Sequence, residues 1–247
     1  MRYLKLKKHC RPRADGTVIV DPIIVDSPRK YAAQRERRET YISKRKCHLV
    51  FGAHDSGKSR WLQRMHGKWE KIWGAKISAA PVFLGALHPV STWTDQPHVE
   101  KWHDKLEKAA AEHDPDYTLR PWAKLNQQQR SERLADYLAD TGALLFIDDA
   151  HKLTGRKLEL ARRCVISANI WLIATSQENR LPPNLRTIID RREPQRTRLM
   201  TDAAYDATSI VMWLIIVIAI GIGWWEAALI LGGLKVLGSG RRAARPD

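Results

Sequence analysis

The sequence predicts an α/β protein with a mainly parallel sheet covered by helices on both faces, plus a C-terminal transmembrane helix or short helical hairpin. Three observations carry that prediction. Short apolar runs of strand length alternate with helix-like stretches, the pattern of a parallel sheet buried on both faces. One such run ends in the glycine-bearing octapeptide GAHDSGKS (52–59), and a later run ends in two aspartates, Asp148 and Asp149. Finally, Ser209 to Trp225 reads SIVMWLIIVIAIGIGWW, seventeen residues without a charge.

Taken in order, residues 1–46 read as a basic N-terminal arm. A weak strand signal at Thr17 to Val25 is followed by Ser27-Pro28 and a basic, helix-prone stretch from Arg29 to Lys46. A nucleotide-binding domain is expected over 47–200, opening with the strand Cys47 to Phe51 and a helix from Arg60 to Trp73. Ala80 to Leu87 is the next strand. A polar insert at 92–142 carries helices at His98 to His113 and Asn126 to Ala139, parted by Asp114-Pro115 and Arg120-Pro121. The strand Ala143 to Asp148, a helix from Lys152 to Ala168 and the buried strand Ile170 to Ser176 follow. A short helix after the double proline, Pro183 to Arg191, and a strand from Gln195 to Met200 complete the domain. Residues 201–208 read as a linker, 209–237 as a membrane segment and 238–247 as a basic tail.

Composition narrows the partners. The 247 residues include 42 Lys and Arg against 27 Asp and Glu, a net charge of +15. Residues 1 to 47 hold 14 basic and 5 acidic side chains, so +9 of that excess precedes the octapeptide. Such an excess favours phosphate-rich partners, either nucleic acid or an anionic membrane surface. Cys10, Cys47 and Cys164 are isolated, which argues for a reducing compartment and against a zinc site. The nine histidines are scattered, with His98 and His103 five apart, and they read as surface residues.

The octapeptide has the spacing Gly-x4-Gly-Lys-Ser of a phosphate-binding P-loop. Its glycines let the backbone turn its N–H groups toward a β-phosphate, and the following helix offers its positive N-terminus. Gly52, Asp55, Ser56, Gly57, Lys58, Ser59 and Arg60 are the candidates for contact with ATP. Lys58 would reach the β- and γ-phosphate oxygens, and the Ser59 hydroxyl would ligate Mg²⁺. In Leu144-Leu145-Phe146-Ile147-Asp148-Asp149, which resembles a Walker B motif, the strand delivers Asp148 to the metal. Asp149 stands where many ATPases carry the glutamate that polarises the attacking water, and an aspartate has the shorter reach.

The plan as a whole resembles the P-loop ATPases whose acidic strand lies one strand away from the loop strand, the superfamily of AAA+ and FtsK/HerA-type proteins. That resemblance implies that Ile170 to Ser176 lies between the two strands and that Gln177 or Thr175 senses the γ-phosphate. It also implies a homo-oligomer in which an arginine from LPPNLRTIIDRRE, such as Arg191, enters a neighbour's site. Arg191 and Arg192 have a second reading as binders of lipid headgroups. With its apolar C-terminal run, residues Leu49 to Trp225 resemble the membrane-anchored Zot-like assembly ATPases of filamentous phages. Asp148-Asp149-Ala150-His151 echoes the motif of TniB-like AAA+ proteins of transposition.

Three functions stand open on the sequence. One is a membrane-anchored ATPase that moves or assembles DNA of a phage or mobile element, with its ATPase domain on the cytoplasmic side of the inner membrane and DNA held by the arm. Another is a nucleotide-gated membrane scaffold with weak hydrolysis. The last is a small-molecule kinase, which generally sets its acidic strand beside the loop strand, so that strand order decides against or for it.

Overall fold

The chain is described from a computed structural model over residues 2–12, 18–26, 38–52, 56–113, 120–199, 207–224 and 226. It divides into two compact units, Met1–Thr201 and Asp202–Asp247.

The first unit is built on a five-stranded parallel sheet. Its strands are β4 (His48–Phe51), β5 (Val82–Gly85), β6 (Leu145–Asp148), β7 (Trp171–Thr175) and β8 (Gln195–Arg198), in the spatial order β5-β6-β7-β4-β8. Successive residues of one strand face opposite layers, which is why each central strand reads as a continuous apolar run. Leu49, Leu145, Ile147, Trp171 and Ile173 enter one core. Val50, Phe146, Leu172 and Ala174 enter the other.

The first core is closed by helices α3 (Val90–Thr94), α4 (Pro97–His113), α5 (Gln127–Thr141), α6 (Gly155–Ser167) and α7 (Pro183–Arg191). Local signals explain their limits. Asn126 and Gln129 form a reciprocal capping box before α5, and Gly142 ends it in a left-handed conformation at φ 64°. Pro183 opens α7, where its missing N–H costs no helical bond.

The other face is covered differently from the expectation. The helix predicted over Arg60 to Trp73 is two helices, α1 (Lys58–His66) and α2 (Trp69–Trp73), parted at Gly67-Lys68. Beside them lies a three-stranded antiparallel sheet of β1 (Arg2–Pro12), β2 (Val18–Asp26) and β3 (Arg38–Tyr41). Part of the helix-prone stretch, Arg38 to Tyr41, is therefore strand. Leu4 and Leu6 of β1 and Ile24 of β2 pack into the core that holds Val50, Trp61 and Leu172, while Lys5 and Lys7 are exposed. Ile42, just after β3, is buried in the same core, and Lys44 pairs with Asp21 at 2.6 Å. These basic residues thus belong to a sheet resting on α1 and α2.

Histidines correct a second expectation. His48 and His103 are fully buried, and His103 bonds the Arg120 carbonyl at 3.0 Å while tilting against Trp122. His48 donates from Nε2 to the Ser43 carbonyl at 2.6 Å, and burial pushes its pKa down to about 4. The folded form thus resists a proton that the unfolded chain accepts near 6.5. Stability is fully present above pH 6.5 and falls, by up to about 1.4 kcal/mol per pH unit, as pH drops toward 4. Urea unfolding at stepped pH should reveal this slope, and His48→Gln, which keeps a donor for Ser43, should flatten it.

The second unit, over the described residues, is helix α8 (Ala207–Gly221). Its 15 residues span roughly 22 Å at 1.5 Å per residue, and among the described residues no helix is long and apolar enough to cross a membrane. The transmembrane helix expected within 209–237 is therefore not found among the described residues of that segment. Trp224 N–H bonds the Ala219 carbonyl at 2.8 Å and Gly223 N–H bonds that of Ile220 at 3.0 Å, with Gly223 at φ 87°. That is a Schellman ending, which stops the helix inside the apolar run. Residues 227–247, including the second limb and the basic tail, lie outside the described residues, as does the linker over 201–206.

Candidate functional site

The carboxyl ends of β4, β6 and β7 meet at the start of α1, the edge of an open α/β sheet where ligands bind. Gly57, at φ 81°, is the left-handed residue that turns the chain into α1. Gly52 also has a steric role. A Cβ there would collide with the Leu199 carbonyl oxygen, because Leu199 N–H bonds Phe51 O at 2.7 Å and brings the chain after β8 onto the loop. Gly52→Ala should therefore destabilise the fold by about 2 kcal/mol, read as a shift of the urea midpoint.

Lys58 is buried, and its Nζ donates to the Gly52 carbonyl at 2.8 Å and the Ser56 hydroxyl at 3.4 Å. The ammonium is thus held on the carbonyl of the loop's first residue. The Ser59 hydroxyl and the Asp148 carboxylate come near each other across the intervening β7, and the hydroxyl favours the charged form of the carboxylate. Burial raises the pKa of Asp148 above its usual range, and the Ser59 hydroxyl partly offsets that rise. Asp55 lies outside the described residues, and Arg60 is exposed on α1.

Asp149, the expected base, is engaged by its neighbours. It sits in a left-handed conformation, φ 53° and ψ 41°, a region Asp tolerates better than most residues. Its Oδ2 is 2.8 Å from Lys152 Nζ, and its N–H donates to Asp148 Oδ1 at 3.0 Å. The carboxylate is thereby engaged by a lysine one short 3-10 turn away, at Ala150–Lys152.

At the end of β7 the polar trio divides its roles. Thr175 is fully buried and donates its hydroxyl to the Gln177 carbonyl at 3.0 Å, so it caps the strand. Gln177 is half-buried. Ser176, which the sequence did not single out, accepts the Gly52 N–H at 3.2 Å and has a buried hydroxyl with no partner among the described residues. Its place directly beside the loop strand was the available signal. The arginines also divide. Arg192 donates to the carbonyls of Ile166, Ala168 and Asn169 and so caps the end of α6, whereas Arg191 is exposed at the end of α7.

The donor set fits Mg²⁺ with a nucleotide. Magnesium takes one or two protein oxygens and completes its shell with phosphate oxygens and water, and Ser59 with Asp148 supplies such a pair. Among the described residues no group of three or more His, Cys, Asp and Glu could hold a metal on protein ligands alone.

Loop, buried lysine and strand order together match the P-loop NTPase fold, with β7 between the loop strand and the acidic strand. The kinase arrangement, with those two strands adjacent, is not the one found. No protein family profile and no curated protein matches the chain. Among solved structures it is similar to Cdc6p of Pyrobaculum aerophilum, with TM-score 0.38 and 17% identity over 62% of this chain and 38% of that one. It is also similar to ATPases 2 and 3 of Thermomonospora curvata EccC in complex with a signal sequence peptide, with TM-score 0.40 and 12% identity over 82% and 41% of the two chains. The ORC1 protein of Aeropyrum pernix in complex with DNA gives TM-score 0.35 and 17% identity over 64% and 40%. This chain thus spans 38% to 41% of the length of these structures, and likenesses of this size assign no activity or partner.

Proposed function

We propose that the chain is an ATPase that binds Mg²⁺-ATP at the loop and couples hydrolysis to the movement or assembly of a polyanionic cargo, DNA of a phage or other mobile element. The observation that supports it most is buried Lys58 on the Gly52 carbonyl, with the two expected metal ligands, the Ser59 hydroxyl and the Asp148 carboxylate, near enough for the one to favour the charge on the other. In this reading Lys58 binds the phosphates, Ser59 and Asp148 hold Mg²⁺, and Mg²⁺ supplies charge neutralisation for the γ-phosphoryl group. Asp149 orients the attacking water once released from Lys152, Gln177 senses the γ-phosphate, and exposed Arg191 acts on a neighbour within a homo-oligomer. The exposed lysines of β1 favour DNA as cargo. The exposed apolar side chains of α8, among them Leu214, Val217 and Ile220, favour attachment to the cytoplasmic face of the inner membrane.

The Asp149–Lys152 ion pair favours a second reading, a nucleotide-gated scaffold that hydrolyses slowly. Steady-state ATP turnover in detergent separates the two. A motor should lose at least about a hundredfold in kcat on Asp149→Asn, the lower end of what general base catalysis supplies, and keep or gain activity on Lys152→Met. Equal turnover in wild type and Asp149→Asn, with ATP still bound, would leave the scaffold.

A further inference from the structure

Between the two acidic residues and the end of β7 stands a side chain that the nucleotide reading leaves without a role, His151. The left-handed turn at Asp149 swings the chain into the 3-10 turn and sets the imidazole against β7, where its Nδ1 accepts the Ser176 backbone N–H at 3.3 Å. A neutral imidazole that accepts at Nδ1 carries its proton on Nε2, and burial keeps this ring neutral by lowering its pKa. The other backbone group of Ser176, its carbonyl, accepts the Gly52 N–H at 3.2 Å. One residue is therefore pinned from both sides, by the first residue of the loop and by the turn that follows Asp148. Its own hydroxyl is buried and has no partner among the described residues. The ring also lies within electrostatic reach of Lys58, Asp149, Lys152 and Arg180.

We propose that His151 is a positioning residue for turnover: through its Nδ1 it fixes the Ser176 peptide, and with it the serine hydroxyl, against the mouth of the phosphate loop. This rests on the nucleotide-site reading above. The role is one of geometry, so it requires an acceptor where Nδ1 stands and requires nothing of Nε2. Asparagine places its Oδ1 near the Nδ1 position, whereas glutamine reaches the region of Nε2. Losing one such hydrogen bond is worth about a fivefold to tenfold change in rate.

The test compares wild type with His151→Ala, His151→Asn and His151→Gln in the full chain, by amide hydrogen exchange at Ser176 without nucleotide and by ATP affinity and turnover. The expected result is faster exchange at Ser176 in His151→Ala and His151→Gln, and wild-type exchange in His151→Asn. Turnover should follow the same order, down about fivefold to tenfold in the first two and within about twofold in the third, with ATP affinity unchanged within about twofold. Rescue by glutamine and not asparagine would overturn the proposal, since the ring would then act through Nε2. Unchanged exchange in His151→Ala would overturn it too, as would a loss of ATP affinity like that of Lys58→Ala. Should the wild type bind ATP without turning it over, the ATPase reading fails, and the exchange series alone decides whether His151 holds Ser176.

Discussion

Replacing Lys58 with alanine is expected to weaken ATP binding by about a hundredfold and to abolish measurable turnover. The side chain is buried over the loop, with its ammonium on the Gly52 carbonyl and the Ser56 hydroxyl. A hydrogen bond to a charged group is worth about 1.5–3 kcal/mol, and the upper end of that range corresponds to about two decades of affinity. Lys58→Arg should not restore binding, because the planar guanidinium needs more room than a buried pocket shaped for an ammonium provides. Titration with a fluorescent ATP analogue checks both variants, and circular dichroism confirms that each is folded. Binding by Lys58→Ala within threefold of wild type would mean that the loop does not hold phosphate.

Asp148→Asn should separate binding from chemistry. The amide keeps the shape of the side chain, but it offers a metal no negative charge. ATP should bind with at most a modest loss, while kcat falls by at least about a hundredfold, since Mg²⁺ supplies several kcal/mol of charge stabilisation in phosphoryl transfer. The raised pKa of Asp148 adds a pH signature. Its carboxyl holds a proton to higher pH than an exposed aspartate, so metal binding should weaken on acidification earlier than ordinary carboxylate chemistry would give. Single-turnover kinetics at saturating ATP measure the loss directly. A kcat within fivefold of wild type would place the metal elsewhere.

Much of the nucleotide domain was legible because its signals are local. Buried parallel strands announce themselves as apolar runs, and the glycine, lysine and serine of the loop have fixed spacing. The order of the strands was legible only through resemblance, since nothing in Ile170 to Ser176 itself says which strands it lies between. What stayed hidden depends on distant partners. The Leu4-Lys5-Leu6-Lys7 alternation of β1 is a strand pattern, but its charge is equally that of a basic arm for a phosphate-rich partner, and the core that buries Leu4 and Leu6 is assembled from α1, α2 and the large sheet. His103 reads as polar until Arg120 and Trp122 fold onto it. The engagement of Asp149 by Lys152 needs a left-handed turn at an aspartate, which composition does not reveal. The membrane reading leaned on hydropathy, which measures how apolar a run is. Where the helix stops was set by the glycine-bound Schellman ending at Gly223.

If Ser59 and Asp148 hold one Mg²⁺ beside a nucleotide bound by Lys58, the metal must strengthen ATP binding through Asp148. Calorimetry of ATP binding with and without Mg²⁺, for wild type and Asp148→Asn, reads this out. In wild type Mg²⁺ should tighten ATP binding by at least about tenfold, equivalent to about 1.4 kcal/mol, and in Asp148→Asn by less than about twofold. An equal effect of Mg²⁺ on the two proteins would mean that Asp148 does not hold the metal.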